Sequence, residues 1–525
     1  MLTKLNNLNI LSFLVLIFPL SLVTGPLIPE VIIFFLFLSL LYTFAKEKKF
    51  YYFNNNIFRT FIIFYLYLNI SSTLAYFNYD NLYSFKSSIF YFRYGILVYA
   101  VLYALENNPK LIKFFYIIYV FIFLILFLDE LKQVITGVNF FNIKLINGRA
   151  SSFFGDKLVL DSFLIKQLPI FIAICFFLKK NDLIILIFIF FFGIAIFFGG
   201  SRAAFFSYIF FIFSTSFFFF KLRIYFFLFA ISLLLFFAIG FSKIDAGKRI
   251  FFSTIDQIFP KKNEIFIFSA RHQAHYETAL YIFKKHPFFG AGPNQFRYLC
   301  DLKEFAPIKT LQFKYIYLPS NSTFKLHIID TKGKIIAVNL ELLAKNNINN
   351  SYAVIDIIKK TLINENFILD FDLTKHKLIL NIYSQKNLQF LKSHMLSHDD
   401  LFYLRNEYFV NDKLIEFTKF KKTFDYENGC NTHPHNFHIQ LLSEIGIIGY
   451  FFLIWFLSIL IKKIYFNIFN RKIYSNYNSE YIVSIGILIN FFPFMPTGNF
   501  FNNWLSFLIF FPLGFYLYFL KKSIK

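Results

Sequence analysis

Long apolar runs recur along the chain and are separated by short polar segments. Each run is close to the ~20 residues that a helix needs to cross a bilayer, and the runs lack the apolar–polar alternation of barrel strands. About twelve such runs can be counted, near residues 8–25, 28–45, 57–77, 88–106, 112–129, 158–178, 182–199, 203–220, 223–241, 446–464, 480–498 and 502–520. Because only helices or closed barrels span a membrane with satisfied backbone groups, the pattern predicts an all-α polytopic membrane protein with about twelve transmembrane helices.

A long interruption between the ninth and tenth runs sets the predicted domain organisation. Residues 1–241 are expected to form transmembrane helices one to nine, and residues 446–525 the last three. The intervening residues 242–445 form one large loop, which the alternation of the helices places outside the cytoplasm if the amino terminus lies inside.

The composition of this loop changes along its length. Residues 242–300 are mixed in character and are expected to be helical, whereas residues 301–429 are richer in Asn, Lys and Asp, with strand-like pieces such as FKLHIID, GKIIAVNL and HKLILNIY. The segment NSYAVIDIIKKTLI, residues 350–363, has the spacing of an amphipathic helix. We therefore expect a small α+β domain inserted at 301–429, followed by a histidine-bearing segment at 430–445.

Composition and charge agree with a membrane protein and give no reason to expect a nucleic-acid partner. The chain is 57% hydrophobic with only 16% charged residues, and its formal net charge is +23. Lysines concentrate in alternate connections, including Lys48, Lys49, Lys179 and Lys180, whereas the short loops near residues 26 and 499 contain no Lys or Arg. The positive-inside rule therefore predicts both termini in the cytoplasm, and attraction to anionic membrane lipids explains much of the excess charge.

Two of the three cysteines bracket the polar insertion. Cys300 precedes it and Cys430 follows it, while Cys175 lies within a predicted span and has the character of a buried apolar residue. Outside the cytoplasm, an oxidising compartment allows such a pair to close a long loop. A Cys300–Cys430 disulfide is therefore predicted.

Histidines at the start of the tenth span are the first candidates for chemistry. His433, His435 and His438 precede an apolar helix whose first turn is expected to include Thr432 and Pro434. Metal ligation, an interfacial position without a role, and proton transfer are the three interpretations. No recognised zinc spacing is present, so no metal is predicted. A histidine titrates near neutral pH, which favours His435 as a general base.

The same stretch resembles a known signature. His435 and Asn436, followed by Gly446 and Gly449, resemble the His-Asn…Gly-x-x-Gly motif of bacterial O-antigen ligases, which share a family with O-antigen polymerases and protein O-oligosaccharyltransferases. Three further stretches resemble family elements in the same order, namely RASSFFGDKLVLDSFL at 149–164, GGSRAAFFSYIF at 199–210 and SARHQAHYETALYIFKKHPFFGAGPNQF at 269–296.

The resemblance implies a glycosyltransferase of class C-like architecture in the bacterial inner membrane, with a periplasmic active site and no cofactor. The donor is then a glycan on undecaprenyl pyrophosphate, and lipid A–core oligosaccharide is the acceptor of a ligase. Arg202 and Arg271 match positions that would bind the pyrophosphate, with Arg149 as a third. Arginine suits this role because it stays protonated and binds phosphate oxygens in a fork.

Supporting roles are expected for residues around these motifs. Asn436 is expected to fix the His435 imidazole or bind a sugar. Glu444 is expected to orient His438, to pair with an arginine or to have a purely structural role. Lys86 is placed near the outer surface, and Arg93 lies within the fourth span, where an ionisable residue is a candidate for function. Glu130, Asp161 and carrier phosphate are its candidate partners.

Other functions stay open at this stage. Polymerisation, with a second carrier-linked repeat unit as acceptor, and protein glycosylation use the same donor side. A flippase for lipid-linked oligosaccharide is the alternative from another class, although inverted repeats of Gly- or Pro-broken helices are not evident in the two halves.

Overall fold

The computed structural model describes residues 9–48, 56–216, 245–259, 268–317, 322–331, 334–344, 367–374, 377–384, 415–424, 429–469 and 477–524. The chain divides into two compact units. One comprises Met1–Phe305 with Cys430–Lys525, and the other is Ala306–Gly429.

The first unit is helical throughout its described part. Its helices are α1 Ile10–Ser21, α2 Leu27–Glu47, α3 Asn56–Tyr79, α4 Tyr83–Ser88, α5 Phe92–Asn107, α6 Leu111–Thr136, α7 Leu160–Phe177, α8 Asp182–Phe198, α9 Arg202–Ser216, α10 Asp245–Gly247, α11 Ser253–Ile258, α12 Ala270–Lys285, α13 Phe296–Leu299, α14 Phe437–Phe469, α15 Tyr477–Asn490 and α16 Asn503–Ile524. A π-helical turn, Lys248–Phe252, joins α10 to α11, and short 3-10 turns occupy Ile89–Tyr91 and Ser152–Phe154.

The described helices coincide with the predicted apolar runs, and the protein is a polytopic helical membrane protein. Seven of these helices are long and apolar enough to cross a membrane, and four shorter apolar helices accompany them within the described residues. The predicted ninth span, 223–241, lies outside the described residues.

Three helices form the centre of the helical unit. The most apolar windows of Tyr83–Asn107, Leu160–Phe177 and Asn503–Ser523 are 72%, 78% and 72% buried, whereas the other four long helices are 28–39% buried. Helices that are apolar on all sides are buried inside a bundle or face lipid. Gly514 contacts Val98 and Val101, so a residue without a side chain lets α16 approach α5 closely.

Helix α14, which carries the histidine motif, begins later than predicted and is broken. It begins at Phe437, and Asn436 caps it by accepting hydrogen bonds from the backbone N–H groups of His438 (2.9 Å) and Ile439 (3.2 Å). The prediction that Thr432 and Pro434 form its first turn is therefore wrong, because the Asn436 side chain competes successfully for the helix start. Gly446, with φ 65° and ψ −174°, interrupts the helix two turns further on.

The second unit contains a six-stranded antiparallel sheet. Its strands are β1 Ile308–Tyr317, β2 Ser322–Thr331, β3 Lys334–Ala344, β4 Phe367–Thr374, β5 Lys377–Ser384 and β6 Ile415–Phe424, in the order β4-β5-β3-β2-β1-β6. The three strand-like pieces noted in the sequence lie on β2, β3 and β5. The first and last strands are paired, with Ile308 opposite Phe424, so the chain enters and leaves this unit side by side. The expected helix at 350–363 lies outside the described residues.

The predicted disulfide is present. Cys300 and Cys430 are bonded, their Cα atoms are 4.8 Å apart, and 130 positions separate them in sequence. Both cysteines belong to the helical unit, where the bond closes the two ends of the chain from which the sheet unit is inserted. Cys175 is a free, buried cysteine, as predicted.

Candidate active site

The turn that carries Arg202 is fixed by a buried ion pair. Arg149 lies 3.2 Å from Asp161 and donates from Nε to the carbonyl of Gly199 at 2.7 Å. The same carboxylate of Asp161 accepts a hydrogen bond from the backbone N–H of Ser201 at 2.8 Å. Arg149 is therefore engaged by internal partners that hold the turn before Arg202, and its contact with pyrophosphate stays a prediction.

Arg202 lies beside a second arginine that the sequence analysis did not single out. Its Nε donates to the backbone carbonyl of Arg249 at 3.1 Å, and its Nη1 donates to Gln257 Oε1 at 2.7 Å. Burial and the positive charges of Arg149 and Arg202 lower the pKa of Arg249. Arg149 and Arg249 both interact electrostatically with Asp161, and Arg202 adds a further guanidinium group at this end of α9.

Arg271 stands in the first turn of α12. Ser269 caps the helix by accepting a hydrogen bond from the His272 N–H at 3.3 Å, which is a favoured arrangement at a helix start. The Arg271 side chain is exposed, and the described residues give it no ion-pair partner. His272 and His275 follow it on the same helix, and their three-residue spacing lets both rings contact a common neighbour.

Four imidazole rings form a cluster between α12 and the segment before α14. The ring centre of His435 lies 4.0 Å from that of His433, 5.2 Å from that of His272 and 5.3 Å from that of His275. The rings of His275 and His435 are nearly parallel, with an interplanar angle of 28°. The helix and the loop therefore bring the Arg271 motif and the His435 motif into one site.

Burial keeps these histidines in the neutral form. It lowers the pKa of His435 from 6.5 to about 4, with further lowering by the positive charges of His272 and Arg271. Burial and the neighbouring His435 lower the pKa of His275 and of His433 to about 3. An imidazole that carries no proton charge at neutral pH can accept a proton, as a general base must.

The backbone and the ring of His435 are held by separate partners. Its φ of 60° lies in the left-handed region, and its carbonyl accepts a hydrogen bond from Thr497 N–H at 2.8 Å. Asn431 Oδ1 accepts a hydrogen bond from Thr432 N–H at 2.7 Å, which turns the Asn431 amide group toward His435 Nε2 at 3.1 Å. This network assigns the neutral ring a proton on Nδ1 and a lone pair on Nε2.

His438 and Glu444 have structural partners instead of the predicted ones. His438 Nδ1 lies 2.9 Å from the Tyr450 hydroxyl, and Nε2 lies 2.7 Å from the Phe491 carbonyl, so both ring nitrogens are engaged. The Glu444 carboxylate accepts hydrogen bonds from Phe296 N–H at 3.1 Å and from Gln440 Nε2 at 2.9 Å. Glu444 therefore fixes the loop after α12, and the prediction that it orients His438 is wrong.

The glycines of the two motifs let the turn after α12 pack closely against the backbone of α14. Gly290, with φ 72°, lies against the backbone of Glu444, and Gly446 lies against Phe288 and Gly290. Gly449 contacts the side chains of Ile445 and Tyr67, so its missing side chain also makes room. The GAGPNQF segment is thus a turn that packs on the break in α14.

Arg93 has an internal partner that the sequence did not identify. Its Nη1 lies 3.2 Å from Glu30, and its Nη2 donates to Asn503 Oδ1 at 2.7 Å. The expected pairing with Glu130 or Asp161 is therefore wrong, because α2 and α16 are its neighbours. The Lys86 ammonium lies 5.4 Å from the ring centre of Tyr83.

Among the described residues, one group of metal-ligand side chains is close enough to share an ion. It consists of Cys300, Asp301 and Cys430, whose two sulfur atoms form the disulfide. The imidazole nitrogens of the histidine cluster do not converge in this way within the described part of the chain.

The protein is therefore a helical membrane protein with a site of guanidinium groups and neutral imidazoles. Among the described residues, the guanidinium groups of Arg202 and Arg271 have no carboxylate partner. A protein-family model described as O-antigen ligase matches residues 186–327. This match confirms the predicted resemblance to the O-antigen ligases and polymerases, over a region that includes Arg202 and Arg271 and ends before His435. No curated protein and no solved structure shows significant similarity to the chain.

The sequence analysis missed four residues of the site. His272 and His275 could have been found from their three-residue spacing behind Arg271, which places imidazoles on an Arg-led helix. Arg249 carries no such signal, because its neighbour Arg202 is distant in sequence, whereas Asn431 lies only four positions before His435.

Proposed function

We propose that the protein transfers a glycan from undecaprenyl pyrophosphate to lipid A–core oligosaccharide, as an O-antigen ligase. Resemblance to the ligase and polymerase family supports transfer from a lipid-linked donor. The Cys300–Cys430 disulfide supports an oxidising compartment for the loop that carries the site, which agrees with a periplasmic active site in the inner membrane and cytoplasmic termini.

Arg202 and Arg271 are proposed to bind the donor pyrophosphate. Both guanidinium groups lack a carboxylate partner in the described part of the chain, although an unpaired arginine near a membrane is costly. A pyrophosphate between them would supply the missing negative charge. As the glycosidic bond breaks, charge develops on the leaving pyrophosphate, and fixed cations at that position lower the barrier.

His435 is proposed to act as the general base. Its Nε2 lone pair, which Asn431 occupies in the free protein, would accept the proton of the acceptor hydroxyl. The hydroxyl oxygen forms a bond to the anomeric carbon while the bond from that carbon to the pyrophosphate oxygen breaks on the opposite face. The pyrophosphate leaves as an anion and the proton stays on His435, so the step is balanced and inverts the anomeric carbon.

Donor binding and base strength are linked in this arrangement. The charge of Arg271 contributes to the low pKa of His435. A bound pyrophosphate would offset that charge and raise the pKa of His435 toward its ordinary value of 6.5, where a base is most effective at neutral pH. The observation that carries the proposal is this juxtaposition of Arg271 with the neutral His435.

The test is transfer by purified protein in detergent with EDTA, using an undecaprenyl pyrophosphate-linked glycan. Lipid A–core, carrier-linked repeat units and a protein acceptor are supplied separately. A ligase yields glycosylated lipid A–core with wild type and almost none with His435→Asn, which preserves tolerance for the left-handed backbone. Product with carrier-linked repeats alone would identify a polymerase, and product with protein alone an oligosaccharyltransferase.

A flippase moves the donor across the membrane without breaking a glycosidic bond. Transport of intact donor in proteoliposomes without glycan transfer to any acceptor would therefore replace the proposal.

A further inference from the structure

His275 is a buried histidine with no hydrogen-bond partner. Its side chain is fully buried, and neither Nδ1 nor Nε2 has a partner in the described part of the chain. Buried polar groups in folded proteins are nearly always hydrogen-bonded, because leaving them unpaired destabilises the fold. An imidazole kept in this state points to a group that is absent from the free protein.

The position of His275 places that group at the transfer site. Its ring lies parallel to the ring of His435 with 5.3 Å between centres, and it follows Arg271 by four residues on α12. His275 therefore lies beside the proposed base, on the helix that carries the proposed pyrophosphate ligand.

The charge state of His275 determines which kind of group can form hydrogen bonds with its two ring nitrogens. Burial and the charges of His435, His272 and Arg271 keep the ring neutral, so it has one N–H donor and one lone pair. A sugar hydroxyl offers the complementary pair, since it both accepts and donates a hydrogen bond. A metal ion fits less well, because the cluster nitrogens do not converge among the described residues.

We propose that His275 binds a hydroxyl of the acceptor sugar next to the hydroxyl that His435 deprotonates. This inference rests on the proposed function and adds the acceptor carbohydrate as the ligand of this side of the site. His275 is then an acceptor-binding residue, and its unpaired nitrogens are satisfied only when the acceptor is present.

The test compares His275→Phe with wild type in both stability and steady-state transfer. Phenylalanine keeps an aromatic ring, slightly larger than imidazole, and removes two unpaired buried nitrogens, so the unfolding temperature should be unchanged or raised. The KM for the acceptor should rise about tenfold or more through the lost hydrogen bonds, while the KM for the donor stays within about threefold.

His286→Phe is the matched control on the same helix segment. His286 Nε2 is hydrogen-bonded to the Tyr79 hydroxyl, so its replacement should lower the unfolding temperature and leave the KM for the acceptor unchanged. His275→Gln, which retains a donor and an acceptor, should restore most of the acceptor affinity. If His275→Phe fails to fold, the acceptor KM of His275→Gln decides, and a rise of tenfold would overturn the proposal.

Two outcomes contradict the inference while leaving the proposed function intact. They are a wild-type acceptor KM in His275→Phe and a rise confined to the donor KM. Absence of transfer by wild type with every acceptor would instead reject the proposed function itself.

Discussion

The backbone of Gly290 lies directly against that of Gly446, and both residues have a positive φ. Ile447 N–H donates to the Pro287 carbonyl at 2.8 Å, and Gly292 N–H donates to the Glu444 carbonyl at 2.7 Å, so the turn after α12 satisfies groups freed by the break in α14. This junction connects the helix of Arg271 to the helix that follows His435.

Gly446→Ala should destabilise the protein by more than about 2 kcal/mol, because backbone strain at positive φ costs about 1–3 kcal/mol and the new methyl group meets backbone atoms. Gly137 is the control, since its φ is 80° and open space surrounds it. Gly137→Ala should cost about 1 kcal/mol through strain alone. Thermal unfolding in detergent checks both, and equal losses would show that the backbone contact does not matter.

Removal of the Cys300–Cys430 disulfide should reduce both stability and activity. The bond closes a loop with a sequence separation of 130, for which a loss of about 2–5 kcal/mol is typical. Asn431, which contacts His435 Nε2, directly follows Cys430. Dithiothreitol should therefore lower the unfolding temperature and the transfer rate of wild type. It should leave the Cys300→Ser/Cys430→Ser double variant unchanged, and an equal response of both proteins would exclude the disulfide as the cause.

Substitution of the two proposed pyrophosphate ligands should impair transfer strongly. Arg202→Ala and Arg271→Ala each remove a cation from the leaving group, for which a loss of about 10²–10³ in rate is typical. Lysine at either position should recover only part of the activity, because it keeps the positive charge but cannot donate two parallel hydrogen bonds to phosphate oxygens. Lys248→Ala is the control, since Lys248 is exposed and paired with Asp245 at 3.6 Å. Activity near wild type in either alanine variant would show that this arginine does not bind the pyrophosphate.

Arg249 should contribute less than Arg202. Its backbone carbonyl accepts a hydrogen bond from Arg202, while its exposed guanidinium adds positive charge beside the site. Arg249→Ala should therefore raise the donor KM about tenfold at low ionic strength, with a smaller effect in high salt because exposed charges are screened. A salt-independent loss would instead indicate a structural role.

Stability should fall as the pH falls below 6.5. The pKa of His435 is lowered to about 4, and those of His275 and His433 to about 3, so the unfolded chain binds more protons than the folded one below pH 6.5. The slope should be at least about 1 kcal/mol per pH unit between pH 6.5 and 5. Unfolding temperatures at pH 7.5, 6.5 and 5.5 check this, and His275→Phe should reduce the slope. A steeper slope in the variant would contradict the assignment.

The sequence predicts the helical membrane architecture well, because this architecture depends on local patterns. Apolar runs of bilayer length identify the helices, and the isolated cysteines identify the disulfide. The start of α14 was predicted too early because Pro434 favours a first turn, whereas the stronger Asn436 cap sets the observed start.

Pairings between distant elements could not be predicted in the same way. Arg93 had three candidate partners in the sequence, and only the packing of α2 and α16 against α5 selects Glu30 and Asn503. Arg149 matched a family element, but its role depends on Asp161 and on the turn at Ser201. The contact of His275 with His435 joins residues that the inserted unit separates in sequence.

The most direct test of the account separates donor binding from transfer in two variants. Equilibrium binding of undecaprenyl pyrophosphate-linked glycan and its transfer to lipid A–core are measured in detergent with EDTA. His435→Asn should bind the donor within about threefold of wild type and transfer at least about 10²-fold more slowly, as expected for loss of a general base. Arg271→Ala should bind the donor much more weakly. Transfer by His435→Asn at the wild-type rate would contradict the role of His435 as the base. A loss of donor binding in His435→Asn as large as that in Arg271→Ala would contradict the separate roles of the base and the pyrophosphate ligand.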